Sequence, residues 1–439
     1  MSALAARART LDVRRGLADV PLLVVGLLLA STAADILPHD TIVGVGEFDL
    51  TLSRILLLVG FAALAISAGW RTLLVRTGIA IPLVLLLAVS LYASHRWGTY
   101  PRFRFLVEGV AAFYLAAATV RSRDDAREAL AAIGLIALAI AALSAVAQVA
   151  QGISTGFYRD GCTPVTKTFG PPPAGTLTRA TGTFANPNVL AGYLLLLLPV
   201  GALCGALVRR ARGLWVAVVL AVGLGYLAVV FTFSRAAVFA ALIAVAVAIV
   251  VSGSRHRRYL LGVAVALGVV VLVLVGSCGS DAGAGYGRSA EWHETFEVIK
   301  DNPLTGVGLG RIGDVLQARN VGSSAAHAHN LWLTWWADAG TGAFIAWIWI
   351  ALALVLRSLR GALAGDAVAR AGLVALLAFF GLSMLDHPAN VDRVALAFWI
   401  VAGLAAATSL PLRGWRRGRR PSGSPDTGSA RDVPPARPA

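Results

Sequence analysis

Residues 187–207, PNVLAGYLLLLLPVGALCGAL, hold no charged side chain. An apolar run of about 20 residues is long enough to cross the hydrocarbon core of a bilayer as a helix. Comparable runs occupy 17–36, 50–69, 75–93, 103–120, 127–149, 213–231, 235–252, 258–276, 339–356, 369–385 and 393–410. The expected fold is therefore an all-α polytopic membrane protein of about twelve spans, with a long loop between spans nine and ten.

Composition agrees. Of 439 residues, 57% are hydrophobic and 14% charged, and mean hydropathy is +0.75. Soluble domains run nearer roughly 45–50% apolar and about 25% charged. The net charge of +15 raises nucleic acid as a partner. The arginines, however, sit in short stretches between apolar runs and form no stripe for a duplex, so none is expected. They orient a membrane protein instead. With the N-terminus inside, the inside loops hold Arg71 and Arg76; Arg121, Arg123 and Arg127; Arg209, Arg210 and Arg212; Arg255, Arg257 and Arg258; and Arg357, Arg360 and Arg370. Arg7, Arg9, Arg14 and Arg15 before the run at Pro21–Ala30, with Ser31-Thr32-Ala33 after it, resemble a signal peptide. An uncleaved first span is preferred, because the later loops then obey the charge rule without a break in parity.

The expected organisation follows. Residues 1–16 form a cytoplasmic N-terminal segment, and 17–276 hold spans one to nine, with a longer outer loop at 150–186. Residues 277–338 form a large extracytoplasmic loop with interfacial helices, 339–410 hold spans ten to twelve, and 411–439 are a Pro-, Gly-, Ser- and Arg-rich disordered cytoplasmic tail. Cys162 and Cys278 both fall in expected outer loops, where a disulfide is chemically permitted, while Cys204 lies in a span.

Charges that break the topology rule are the informative ones. Arg235 starts an apolar helix on the outer side, where it either snorkels or faces an anion. Arg104 and Glu108 stand one turn apart in the fourth span and can pair; Arg54 is either structural or a substrate contact. In the long loop, 288–300 reads as a helix with Trp292, Phe296 and Ile299 on one face, stopped by Asp301-Asn302-Pro303. Gly306-Val-Gly-Leu-Gly-Arg311 has arginine where a dinucleotide fingerprint needs its third glycine, so it reads as a flexible or tightly packed turn. Trp332, Trp335 and Trp336 suit an interfacial belt. His327 and His329 are too few for a metal site, which needs three or four ligands, and no further Cys, His or Asp stands at ligand spacing in the outer loops. A histidine base is the better reading, and no metal or other cofactor is expected.

Four segments taken in order carry a resemblance. They are Arg179-Ala-Thr-Gly-Thr-Phe-Ala-Asn-Pro-Asn-Val-Leu-Ala191, Thr232-Phe-Ser-Arg-Ala-Ala237, Arg288 and Trp292 ahead of Asp301-Asn-Pro-Leu-Thr-Gly-Val-Gly308, and His329-Asn330 before a span entered at Gly340 and Gly342. Over roughly 180–345 the chain resembles the O-antigen ligase family, whose superfamily includes O-antigen polymerases and protein O-oligosaccharyltransferases. The resemblance implies a membrane-embedded GT-C-type glycosyltransferase fold and metal-independent transfer of a glycan from undecaprenyl diphosphate. The acceptor would be a glycan, lipid A-core or protein at the extracytoplasmic face of the bacterial cytoplasmic membrane. That places the chain in surface polysaccharide or lipopolysaccharide biosynthesis, with ligase and polymerase both open. It implies catalytic roles for His329, Arg288 and Arg235, and substrate-lining roles for Arg179, Asn186, Asn188, His327, Trp292 and Asn330. The chemistry is consistent: guanidinium forks match phosphate oxygens, and a histidine suits removal of a hydroxyl proton. A transporter is the main alternative, but no repeat relates the two halves and the polar residues gather at one face.

Overall fold

The computed structural model describes residues 2–34, 43–45, 48–73, 77–123, 125–160, 163–166, 172–207, 212–252, 262, 282–319 and 327–408. Cys162, Cys278, nearly all of the expected ninth span and the tail 411–439 lie outside them. Every other expected span falls on a helix. In chain order these are α1 (Ser2–Ser31), α2 (Leu52–Ala68), α3 (Ala80–Trp97), α4 (Tyr100–Ser122), α5 (Ala126–Ala150), α6 (Pro187–Leu207), α7 (Arg212–Phe231) and α8 (Arg235–Val251). The long loop supplies α9 (Ala282–Asp301) and α10 (Ile312–Ala318), and α11 (Leu331–Leu363), α12 (Ala367–Ser383) and α13 (Asp392–Thr408) follow. Among the described residues, α3 to α7 and α11 are long and apolar enough to cross a membrane; Gly16–Ser31 of α1, with α2, α8 and α12, are shorter apolar helices.

The departure from an all-α fold lies in the loops. A hairpin pairs β1 (Val43–Val45) with β2 (Phe48–Leu50), and β3 (Phe157–Asp160) lies between β4 (Thr163–Thr166) and β5 (Leu177–Thr178), all antiparallel. Search windows of about 20 residues, suited to membrane spans, are blind to strands this short.

Local chemistry sets the helix starts. Asn186 accepts the Asn188 amide (2.8 Å) with Pro187 at the first helical position of α6. Ser234 caps α8, Asp366 caps α12, and Asn330 caps α11 through the amides of Trp332 and Leu333. α6 is apolar on every side, as a central helix should be. It packs against α5, α7 and α12, and Leu194–Leu198 are buried. The first helix is part of the same bundle: Leu28 is buried and Thr32 bonds the Tyr193 hydroxyl at 2.9 Å.

α11 breaks at Gly340, whose φ of 82° is open to glycine and strained for other residues. A Cβ there would lie 2.2 Å from the Leu304 carbonyl oxygen. The break lets residues 303–308 run along the helix. Val307 and Gly308 donate to the carbonyls of Ala337 and Asp338 (both 2.9 Å), and Thr341 donates to Pro303 O (2.8 Å). The glycine-rich stretch is thus a packed turn. The three tryptophans at the start of α11 turn onto protein: Trp332 on Phe380, Trp335 on Trp347, Trp336 stacked on Phe344. α9, α10 and the start of α11 share a small core of their own around Val298, Ile312, Leu316 and Ala337.

The bundle has two distinct ends. One gathers Asp19, Arg123, Asp125, Arg127 and Asp366 in ion pairs, with Arg357 against Gly78. The other gathers the segments around 33, 97–99, 148–152, 179–188, 232–235, 306–310, 327–330 and 384–393, which bond one another.

Candidate active site

The second end is organised around Asp386, in the short loop between α12 and α13. His329 Nδ1 lies 3.5 Å from Asp386 Oδ1 and His327 Nε2 lies 3.9 Å from it. The His327 and His329 rings meet edge to face with centroids 4.6 Å apart, and His387 stands 5.5 Å from His327. Asp386, His327 and His387 are buried, while His329 is part-exposed.

Backbone geometry holds His329 in place. Its φ is 45°, and among the described residues the other non-glycine with positive φ is Phe233, in the turn before Arg235. Strain of this kind persists only where surroundings enforce it, and it gathers at functional sites. Here the enforcement is visible. The Asn330 side chain caps α11 and donates to Met384 O (2.8 Å), and Trp292 Nε1 donates to Ala328 O (2.9 Å). The His329 amide donates to His327 Nδ1 (3.0 Å).

That last bond settles a tautomer. An Nδ1 accepting an amide proton carries none of its own, so neutral His327 has its proton on Nε2, facing Asp386. Burial pushes His327 down to about pKa 4 against the pull of Asp386, with His329 and Arg288 adding to the fall. For Asp386, burial alone would raise the pKa. The His329 hydrogen bond, the charges of both histidines and the His387 amide reverse this, and the carboxyl is held below its ordinary value. An ionised Asp386 accepts Nδ1–H of His329 and leaves His329 Nε2 with a lone pair.

His327, His329 and Asp386 do form a set whose ligand atoms lie within 4.8 Å of one another. The expectation that the outer loops lack such a set missed Asp386, 57 residues from His329 along the chain. With Nδ1 already accepting an amide proton, His327 could ligate a cation through Nε2 only by giving up its remaining proton. The donor chemistry therefore suits a hydrogen-bonded relay better than a metal site.

Two basic groups lie in electrostatic reach of the relay, and a third stands at the same end of the bundle. Arg179 donates to Thr232 O (2.9 Å) and to Asn188 Oδ1 (3.2 Å), joining the segment before α6 to the turn before α8. Burial pulls its pKa down to about 10, and it feels the charges of Asp386, Arg159 and Arg288. Arg288 is half-buried on α9 and within electrostatic reach of His327. Arg235 is exposed on the first turn of α8. The same helix passes Gly381 near the end of α12, so Arg235 sits at the end of the bundle that carries Asp386. Asn186 is engaged as a helix cap, and Asn188 as a partner of Arg179.

Residues outside the motifs complete the frame. Gln148 accepts the amides of Thr181 and Gly182 and donates to Gly182 O; Arg393 donates to Thr183 O and stacks on Phe184. Asp386 and His387 were missed by the sequence analysis: they lie in the short loop between α12 and α13, and nothing along the chain ties them to His329. In the second span, Arg54 is joined to Glu108 (3.4 Å).

A multi-pass membrane protein with a buried carboxylate–histidine relay among arginines is the class that these features define. Residues 197–348 match the family profile described as O-antigen ligase, which supports the resemblance read from the sequence motifs. The match spans Arg235, Arg288, His327 and His329, and excludes Arg179 and Asp386. It supports membrane glycosyltransferase activity of the ligase and polymerase kind, with a lipid-linked glycan and an acceptor as partners in general terms. No curated protein sequence matches the chain.

Proposed function

We propose that this protein transfers a glycan from undecaprenyl diphosphate to an acceptor hydroxyl, without a metal, at the extracytoplasmic face of the bacterial cytoplasmic membrane. The observation that carries the reading is His329, oriented by buried Asp386, with Arg179 and Arg288 in electrostatic reach of the relay and Arg235 at the same end of the bundle, away from the Arg123 ion pairs. The acceptor O–H gives its proton to His329 Nε2 as its oxygen attacks the anomeric carbon. The bond from that carbon to the phosphate oxygen breaks, and its electron pair leaves with the lipid diphosphate. Asp386 keeps the imidazole in the required tautomer and balances the imidazolium that forms, the role a carboxylate plays behind any histidine base. The arginines offset the charge of the leaving diphosphate with fixed forks. Sidedness rests on the arginine-rich loops at the opposite end, which belong in the cytoplasm.

Reconstitution in proteoliposomes with an undecaprenyl-diphosphate glycan and candidate acceptors tests this. Mass spectrometry should find a new covalent glycoside, in equal amount with and without EDTA. Movement of donor across the bilayer with no covalent product would favour a transporter. Loss of product in EDTA, restored by Mg²⁺ or Mn²⁺, would overturn the metal-free mechanism.

A further inference from the structure

Arg235 follows a strained turn. Phe233, two residues before it, has a φ of 50°, a left-handed conformation that is costly for a bulky side chain. Its amide donates to Val230 O at 2.9 Å, so the chain leaves α7, reverses through Phe233 and enters α8 at the Ser234 cap. Thr232 and Ser234, on either side of Phe233, are buried. A conformation of this kind persists only where contacts outside the turn enforce it.

Such contacts come from the segment between α5 and α6, which grips three consecutive residues of the turn. The Ala180 amide donates to Phe231 O (2.9 Å), Arg179 Nε donates to Thr232 O (2.9 Å), and the Arg159 guanidinium lies over the Phe233 ring, 5.2 Å from its centroid. The small sheet explains how one segment reaches all three. Arg159 on β3 stands opposite Leu177 on β5, and one step on, the Arg179 amide donates to Phe157 O (3.0 Å). Alternation along the strands then puts Arg159 and Arg179 on the same face, within electrostatic reach of each other. Tyr158, on the opposite face, is wholly buried and its hydroxyl bonds Ser154, which anchors the strand that presents Arg159. Arg159, Arg179 and Ala180 all lie outside the stretch 197–348 that matches the family profile.

We propose that Arg159 is a positioning residue: stacked on Phe233, it fixes the strained turn that aims Arg235. What Arg235 is aimed at rests on the donor site proposed above, but the clamp itself does not. Full-length protein in nanodiscs would be followed by hydrogen exchange over 230–240 and by titration with farnesyl diphosphate, a short-chain lipid diphosphate. Arg159→Ala should speed exchange of the Phe233, Ala237 and Val238 amides, whose bonds close the turn and the start of α8. It should also weaken diphosphate binding about tenfold, the scale of one strained residue losing its support. Phe233→Gly added to Arg159→Ala should restore binding to within about threefold of wild type, because glycine takes a positive φ without strain. That rescue separates a clamp from direct contact between Arg159 and the diphosphate, which no change at Phe233 could replace. The losses from Arg159→Ala and Arg235→Ala should be non-additive, since the first acts through the second. Unchanged exchange in Arg159→Ala, no rescue by Phe233→Gly, or additive losses would overturn the positioning role. Wild-type protein that failed to bind the diphosphate, or binding that survived Arg235→Ala, would instead break the donor reading, and exchange would still decide the clamp.

Discussion

The two ends of the bundle are both charged, yet they use charge in opposite ways. At one end Arg123 bonds Asp19 and Asp125, carboxylates about 60% exposed, and hydrogen bonding raises the pKa of the arginine and lowers that of Asp125. Water screens such pairs, and each contributes only about 0–1 kcal/mol. At the other end Asp386, His327 and His387 are removed from water, so each proton's position is dictated by neighbours. The first arrangement is water-screened pairing at the surface; the second can do chemistry. Charge density along the chain does not separate them, whereas desolvation does.

The sharpest way to break the comparison is at His329. Replacing it with Ala should cut transfer by about a thousandfold, within the range for loss of a general base, while donor binding persists. Product analysis beside a donor-binding assay reads both. Asp386→Asn keeps the size of the side chain but removes the charge that orients His329, and turnover should fall by about a hundredfold or more. If turnover survived it, the relay would be only scaffolding.

Arg288→Lys keeps the charge but loses the fork. Donor binding should weaken roughly tenfold, which titration with lipid diphosphate would measure, and an unchanged affinity would remove Arg288 from the diphosphate site.

Buried, neutral His327 has a stability consequence. Its folded pKa, near 4, lies below the ordinary histidine value of 6.5, so the unfolded chain binds more protons between those values. Its contribution is therefore complete above about pH 6.5 and is lost as pH falls toward 4, by roughly 3 kcal/mol in total. Detergent-solubilised protein should melt earlier across that window, and His327→Asn should flatten the slope.

The smallest effect belongs to the opposite end. Arg123→Ala should cost about 1 kcal/mol or less in a thermal melt and leave turnover unchanged. A large loss of activity there would mean that the two ends are coupled through the helices.

The apolar helices were legible because crossing a bilayer demands length and apolarity, and both are properties of consecutive residues. The helix at 288–300 was legible for the same reason, whereas the roles of His329, Arg235 and Arg288 rested on the family resemblance of the motifs around them. Tertiary structure alone decided which apolar helix lies at the centre. α6 and α7 are equally featureless in sequence, yet the spanning window of α6 is 83% buried and that of α7 28%. Lipid and protein interior are both apolar solvents, so no composition distinguishes a core helix from a lipid-facing one. Tertiary structure alone also joined Asp386 to His329 and set His387 beside His327, because a carboxylate's influence depends on distance and burial, which folding sets and sequence separation does not.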